Sequence, residues 1–143
     1  MYIKENKWNK HRNSLDKFFK LSNGQWLKIV FDYKKYFNSW YMDIVIANSK
    51  RQCNDCIRKT ELSPKKIYGH VTGNKLGIEA LLIAKNELLK FENNINNSYI
   101  KIYGANERLI NIYESVLKRY NYKTCFNERK RKYLMKFIRG KKK

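Results

Sequence analysis

Acidic residues are scarce in this chain: twelve Asp and Glu stand among 143 residues, with one proline, two histidines and three cysteines. The few carboxylates are dispersed, so no pair marks glycoside hydrolysis and no cluster has the signature of a two-metal nuclease. No apolar run is long enough to span a bilayer. The first residues have neither an apolar core nor a small-residue cleavage site. These absences lead us to expect a soluble, cytoplasmic protein. The histidines, His11 and His70, stand apart from any second paired motif, and no Ser-His-Asp or Cys-His grouping stands out. Cys53 and Cys56 form a C-x-x-C and Cys125 stands alone. A structural zinc adaptor would need all three thiols and a histidine to converge, so the expectation is free thiols and no metal.

What the chain has in excess is positive charge. Thirty-two Lys and Arg give a formal net charge of +20. Such a surplus costs self-repulsion in the compact state, and a polyanion relieves it. Hydrophobic residues make up 43% of the chain and aromatics 15%, enough for a core without metal or disulfide staples. The length fits one domain.

Residues 1–24 are a polar N-terminal extension with scattered apolar points, and Ser14 is placed to cap a short helix running to Lys20. Asn23 and Gly24 mark a turn. From Gln25 the period becomes two: Leu27, Ile29, Phe31 and Tyr33 share one face. A second such run, residues 40–48, completes an antiparallel hairpin. Residues 49–66 form a basic surface loop with room for one helical turn. A short apolar strand at 67–71 leads to a glycine-bearing turn between Gly73 and Gly77. Gly77, Leu81, Ala84, Leu88 and Phe91 then recur at helical spacing. A strand at 99–103 follows, then a helix with Leu109, Ile112, Tyr113, Val116, Leu117 and Tyr120 on one face. Two closing strands flank a turn at Glu128, Arg129, Lys130 and Arg131. Gly140 precedes a triple-lysine end, and residues 139–143 form a basic tail. The order predicts an α+β single domain: a mixed, mostly antiparallel sheet flanked by two main helices.

A strand, a glycine turn and a helix N-terminus together suit an anion, since backbone N–H groups and the helix field both favour it. No Gly-Lys-Ser/Thr closes this turn, so it is not a Walker A loop. Residues 67–138 resemble the C-terminal half of the GNAT-type N-acetyltransferase superfamily. Asn106, Leu109, Tyr113, Tyr120 and Tyr122 are similar to that family's N-x-x-A-x-x-x-Y…G-[FY] helix. The resemblance implies a GNAT-like fold, with Gly73, Asn74, Lys75, Gly77 and Asn106 against acetyl-coenzyme A and Tyr113 protonating the departing thiolate. His70, Gly73 and Lys75 fall where the family runs [QR]-x-x-G-x-[GA], and no carboxylate is placed as general base. Tyr113 also shares its face with Leu109, Ile112 and Val116, so core packing accounts for it without chemistry. The expected state is therefore no cofactor and no catalysis. The alternative is an acetyl-coenzyme A-dependent N-acetyltransferase acting on an RNA- or ribosome-associated substrate.

Three basic clusters carry the functional expectation. The first holds Lys50, Arg51, Arg58, Lys59, Lys65 and Lys66, and the second Lys118 and Arg119. The third holds Arg129, Lys130, Arg131, Lys132, Arg139, Lys141, Lys142 and Lys143. Tyr33, Tyr36, Phe37, Trp40, Tyr41 and Tyr133 interleave with them, and such rings can stack on unpaired bases. Packing of the sheet accounts for Tyr33 and Trp40. The partner expected is nucleic acid or a nucleoprotein complex, with an anionic membrane or an acidic protein as the alternative. Size and low-GC composition fit an accessory or counter-defence protein of a phage or mobile element.

Overall fold

The computed structural model describes residues 8–58, 74–104 and 107–140. Its centre is one seven-stranded sheet: β1 (Asn9–Lys10), β2 (Ser14–Lys20), β3 (Trp26–Lys34), β4 (Ser39–Ala47), β5 (Ser98–Tyr103), β6 (Lys123–Phe126) and β7 (Lys132–Ile138). Helix α1 (Lys50–Arg58) follows β4, α2 (Asn74–Glu92) precedes β5, and α3 (Glu107–Leu117) follows it. The spatial order is β1-β2-β3-β4-β5-β7-β6. Every neighbouring pair is antiparallel except β4 and β5, which run parallel.

Alternation sorts the side chains onto two faces. Leu15, Phe31, Met42, Ile102 and Leu134 lie opposite one another across five strands, and all are buried. Ala80, Ala84, Leu88 and Phe91 of α2 and Ile110 and Leu117 of α3 close over this ridge. The two helices therefore share one face. The second face carries α1, whose buried Cys53 packs with Val45, Ala47, Phe18 and Trp26.

The alternating runs behave as their pattern predicts. β3 and β4 form the expected hairpin over nine paired positions, from Trp26↔Ala47 to Lys34↔Ser39. The turn at Gly24 has φ +91°, a conformation glycine adopts without strain, and Asn23 Oδ1 accepts the Gln25 N–H at 2.9 Å. Asn38 is left-handed and links the hairpin to β5. Its amide donates to the Asn97 carbonyl, and its own carbonyl accepts from the Tyr99 N–H. Those bonds set the register in which β5 lies beside β4.

Three expectations change. Residues 14–20 are strand, not helix. Leu15, Phe18 and Phe19 have helical spacing, but all seven residues pair with β3, and a full ladder outweighs a marginal local helix. Residues 50–58 are helix, not loop. Ser49 Oγ accepts the Gln52 N–H at 3.1 Å and Gln52 Oε1 accepts the Asn48 N–H at 2.9 Å, a capping exchange that starts the helix. The sheet thus has three helices among the described residues rather than two. The strand expected at residues 67–71 lies outside the described residues.

Gly104 has a packing role. A Cβ there would lie 2.6 Å from the backbone nitrogen of Ile110, so only glycine lets α3 start this close to the end of β5.

Tyr122 is buried and donates to Glu92 Oε2 at 2.7 Å. Burial, and then the Glu92 carboxylate, push its hydroxyl far above the ordinary tyrosine range. The folded chain therefore holds this proton where the unfolded chain releases it. Its contribution to stability is complete below about pH 10 and declines as pH rises further. Denaturant midpoints measured from pH 8 to 11 are expected to fall above pH 10, with a shallower fall in Tyr122→Phe. Equal slopes would mean that other groups govern alkaline stability.

Candidate nucleic-acid interface

The face opposite α2 and α3 is the chemically distinctive one. Strand pairing places Tyr41, Lys101, Met135 and Lys123 opposite one another across β4, β5, β7 and β6. The neighbouring rows are Tyr103, Tyr133 and Cys125 on one side, and Ser39, Tyr99 and Phe137 on the other. Among the described residues, α1 is the one helix on this face, and it covers the β2–β4 end.

Tyr103 and Tyr133 stack at 4.8 Å between ring centroids and 14° between planes. Tyr41, in the adjacent cross-strand row, meets Tyr103 diagonally at 6.1 Å and 18°, which extends the line of rings. All three residues are half-buried, and Phe137, beside Tyr99 at 4.9 Å, is exposed.

Cations border the rings. Lys101 Nζ lies 5.6 Å from the Tyr41 ring centre and 5.5 Å from that of Phe37. The Arg131 guanidinium sits 5.8 Å from the Tyr103 ring and donates to the Gly104 carbonyl. All three distances are in the cation–π range. Across β4, β5, β7 and β6, Asp43 is the one carboxylate on this face. Burial and the neighbouring tyrosines hold the Tyr103 hydroxyl above its usual range, and burial and Cys125 do the same for Tyr133.

The basic residues predicted from sequence divide into groups. Lys50 and Arg51 are exposed in the first turn of α1, and Lys50 Nζ lies 4.7 Å from the Trp26 ring at the end of this face that α1 covers. Arg129 and Lys130 are exposed in the β6–β7 turn, where Asn127 Oδ1 accepts the backbone N–H groups of Arg129 and Arg131. Arg139 is exposed after β7. Lys132 lies toward the helix-covered face, where it pairs with Glu114 at 2.7 Å while donating to Asn111. Its charge is committed to holding α3. For Arg58 only the backbone is described, and Lys59, Lys65, Lys66, Lys141, Lys142 and Lys143 lie outside the described residues.

Gly73 and Asn106 lie outside the described residues, and only the backbone of Asn74 and Lys75 is described. The helix already begins at Asn74, so Asn74, Lys75 and Gly77 belong to its first turn rather than to a preceding loop. Tyr113 is half-buried against the core with Val116 and Tyr120. No group of three potential metal ligands occurs among the described residues. Cys53 is buried, with its thiol directed at the Trp26 carbonyl.

Sequence reasoning missed a polar cluster on β1–β3. His11 Nε2 and Asp16 Oδ2 lie 2.7 Å apart, and Asn9 donates to the other carboxylate oxygen at 3.0 Å. Buried Lys28 lies 3.9 Å from the same carboxylate and donates to Asn54 at 2.6 Å. These groups line an open pocket of about 650 Å³. The five-residue separation of His11 and Asp16 has no helical meaning, so only the β1–β2 pairing could bring them together. No family of known proteins, no curated protein and no solved structure matches this chain.

Proposed function

We propose that this chain is a basic, GNAT-like module that binds nucleic acid or a nucleoprotein complex and does not rely on catalysis. One observation carries the reading: the two sheet faces are unequal. One is sealed by α2 and α3, while the other presents Lys50, Lys101, Lys123 and Arg131 among aromatic rings, with Asp43 the one acid from β4 to β6. An excess of cations beside aromatic rings, with Asp43 and its β3 neighbour Asp32 as the nearby acids, has less use in folding than in holding a phosphate backbone. The likeness to GNAT folds rests on strand order, β1 to β5 then β7 and β6, with the one parallel pair at β4–β5.

The acetyltransferase alternative draws on a different feature. The β4–β5 ladder ends at Met42↔Ile102, so residues 43–47 of β4 continue without a β5 partner. In the family that the sequence resembles, the coenzyme arm enters where these strands part. Against it stands Tyr113, which packs on the core beside Ile110 and Val116.

The deciding experiment is a nucleic-acid titration at several salt concentrations, with a parallel series containing acetyl-coenzyme A. Binding should weaken linearly on a log–log salt plot and be indifferent to the coenzyme. Saturable coenzyme binding without nucleic-acid affinity would replace this reading with the enzyme one.

A further inference from the structure

We propose that the Tyr41–Tyr103–Tyr133 row is a stacking platform for unpaired bases, making the ligand a single-stranded nucleic acid rather than a duplex. This rests on the nucleic-acid reading above and adds the strandedness and the site. The row lies on the floor of a sheet face rather than at a projecting element. Duplex grooves admit a helix or a ribbon that stands out from the surface. A flat sheet bearing neutral rings instead suits splayed bases, whose π-faces stack on aromatic side chains whatever their sequence.

The cations are placed for the strand that carries those bases. Lys101 lies next to Tyr41 in the same cross-strand row, and Arg131 borders Tyr103. A backbone passing along this edge would leave each phosphate near a cation and each base near a ring. The exposed Phe37, beside Lys101, extends the apolar track beyond β4. Charge complementarity and ring geometry therefore select the same occupant. Arg131 is also fixed by its bond to the Gly104 carbonyl, so it loses little side-chain freedom on binding.

The test uses the full chain with fluorescein-labelled probes: a 15-nucleotide uridine RNA, the matching thymidine DNA and a 15-base-pair mixed-sequence duplex. Both single strands should bind more tightly than the duplex. RNA exceeding DNA would assign contacts to the 2′-hydroxyl, and equality would leave stacking and phosphate contact alone. Tyr103→Leu and Tyr133→Leu should each weaken single-strand binding about tenfold or more with the salt slope unchanged, while Tyr103→Phe keeps the affinity. Lys101→Gln should instead lower the slope by about 0.7.

Should the leucine variants lose their fold, a strand containing 5-iodouridine is photocrosslinked to the wild-type chain and the adducts are mapped. Adducts at Tyr41, Tyr103 or Tyr133 support the platform. Adducts confined to other surfaces, or duplex binding as tight as single-strand binding with leucine variants within twofold of wild type, would overturn it while leaving nucleic-acid binding intact. Absence of binding to all three probes would remove the functional reading itself.

Discussion

Lys17→Met is expected to destabilise the fold by about 3–5 kcal/mol, as breaking one side of a buried ion pair does. Lys17 Nζ and Glu87 Oε1 are 3.1 Å apart, with side chains only 9% and 6% exposed. The pair joins β2 to α2 across the sealed face. Lys17 also lies 4.8 Å from the Phe19 ring and 5.5 Å from the Trp8 ring, so cation–π contacts add to the pair. Removing the lysine leaves Glu87 with Lys90 at 3.3 Å, a side chain 62% exposed and reaching in from solvent. That residual contact places the loss toward the lower end. The double replacement Lys17→Met with Glu87→Leu is expected to lie within about 1 kcal/mol of the wild type, because two desolvation costs vanish with the pair. Urea unfolding of the four-member cycle measures this. A double variant as unstable as the sum of the singles would mean that the site cannot be repacked with apolar groups.

Phe31→Ala is expected to cost about 3–5 kcal/mol, the range for emptying a packed aromatic site. Phe31 is fully buried and stacks on Phe91 with centroids 3.9 Å apart and planes within 5°. A nearly eclipsed sandwich is not the arrangement two isolated rings prefer. Trp8, 5.6 Å from Phe31, and Trp40, edge-on to Phe91 at 5.1 Å, hold it in place. This four-ring cluster locks the segment before β1, the centre of the sheet and the end of α2 together. Phe31→Leu should cost less, since leucine keeps most of the volume. Alanine and leucine variants of equal stability would show that the neighbours collapse into the space.

The β3–β4 hairpin was legible because Leu27, Ile29, Phe31 and Tyr33 alternate without interruption, so one face must be buried wherever the strand goes. The long helix α2 was legible for the equivalent reason, with Ala84, Leu88 and Phe91 recurring at helical spacing. β2 was not, because Leu15, Phe18 and Phe19 satisfy both periods and its inward Lys17 looks like a solvent residue until Glu87 is placed opposite. α1 was hidden by polarity, although Ser49 and Gln52 carried a capping signal that outweighs its sparse apolar content.

For the candidate site the division is sharper. The charge surplus, and hence a polyanionic partner as the expectation, follows from composition, because electrostatic attraction at long range needs only net charge. Which cations remain available is a matter of pairing in space: Lys132 is spent on Glu114, while Arg131, its neighbour in sequence, lies over Tyr103. Tyr41, Tyr103 and Tyr133 are far apart in the chain and become a row only through the β4–β5–β7 ladders. Sequence fixes which side chains share a face of one strand, since alternation is local. Only the tertiary structure decides which strands lie side by side, and therefore which rings meet.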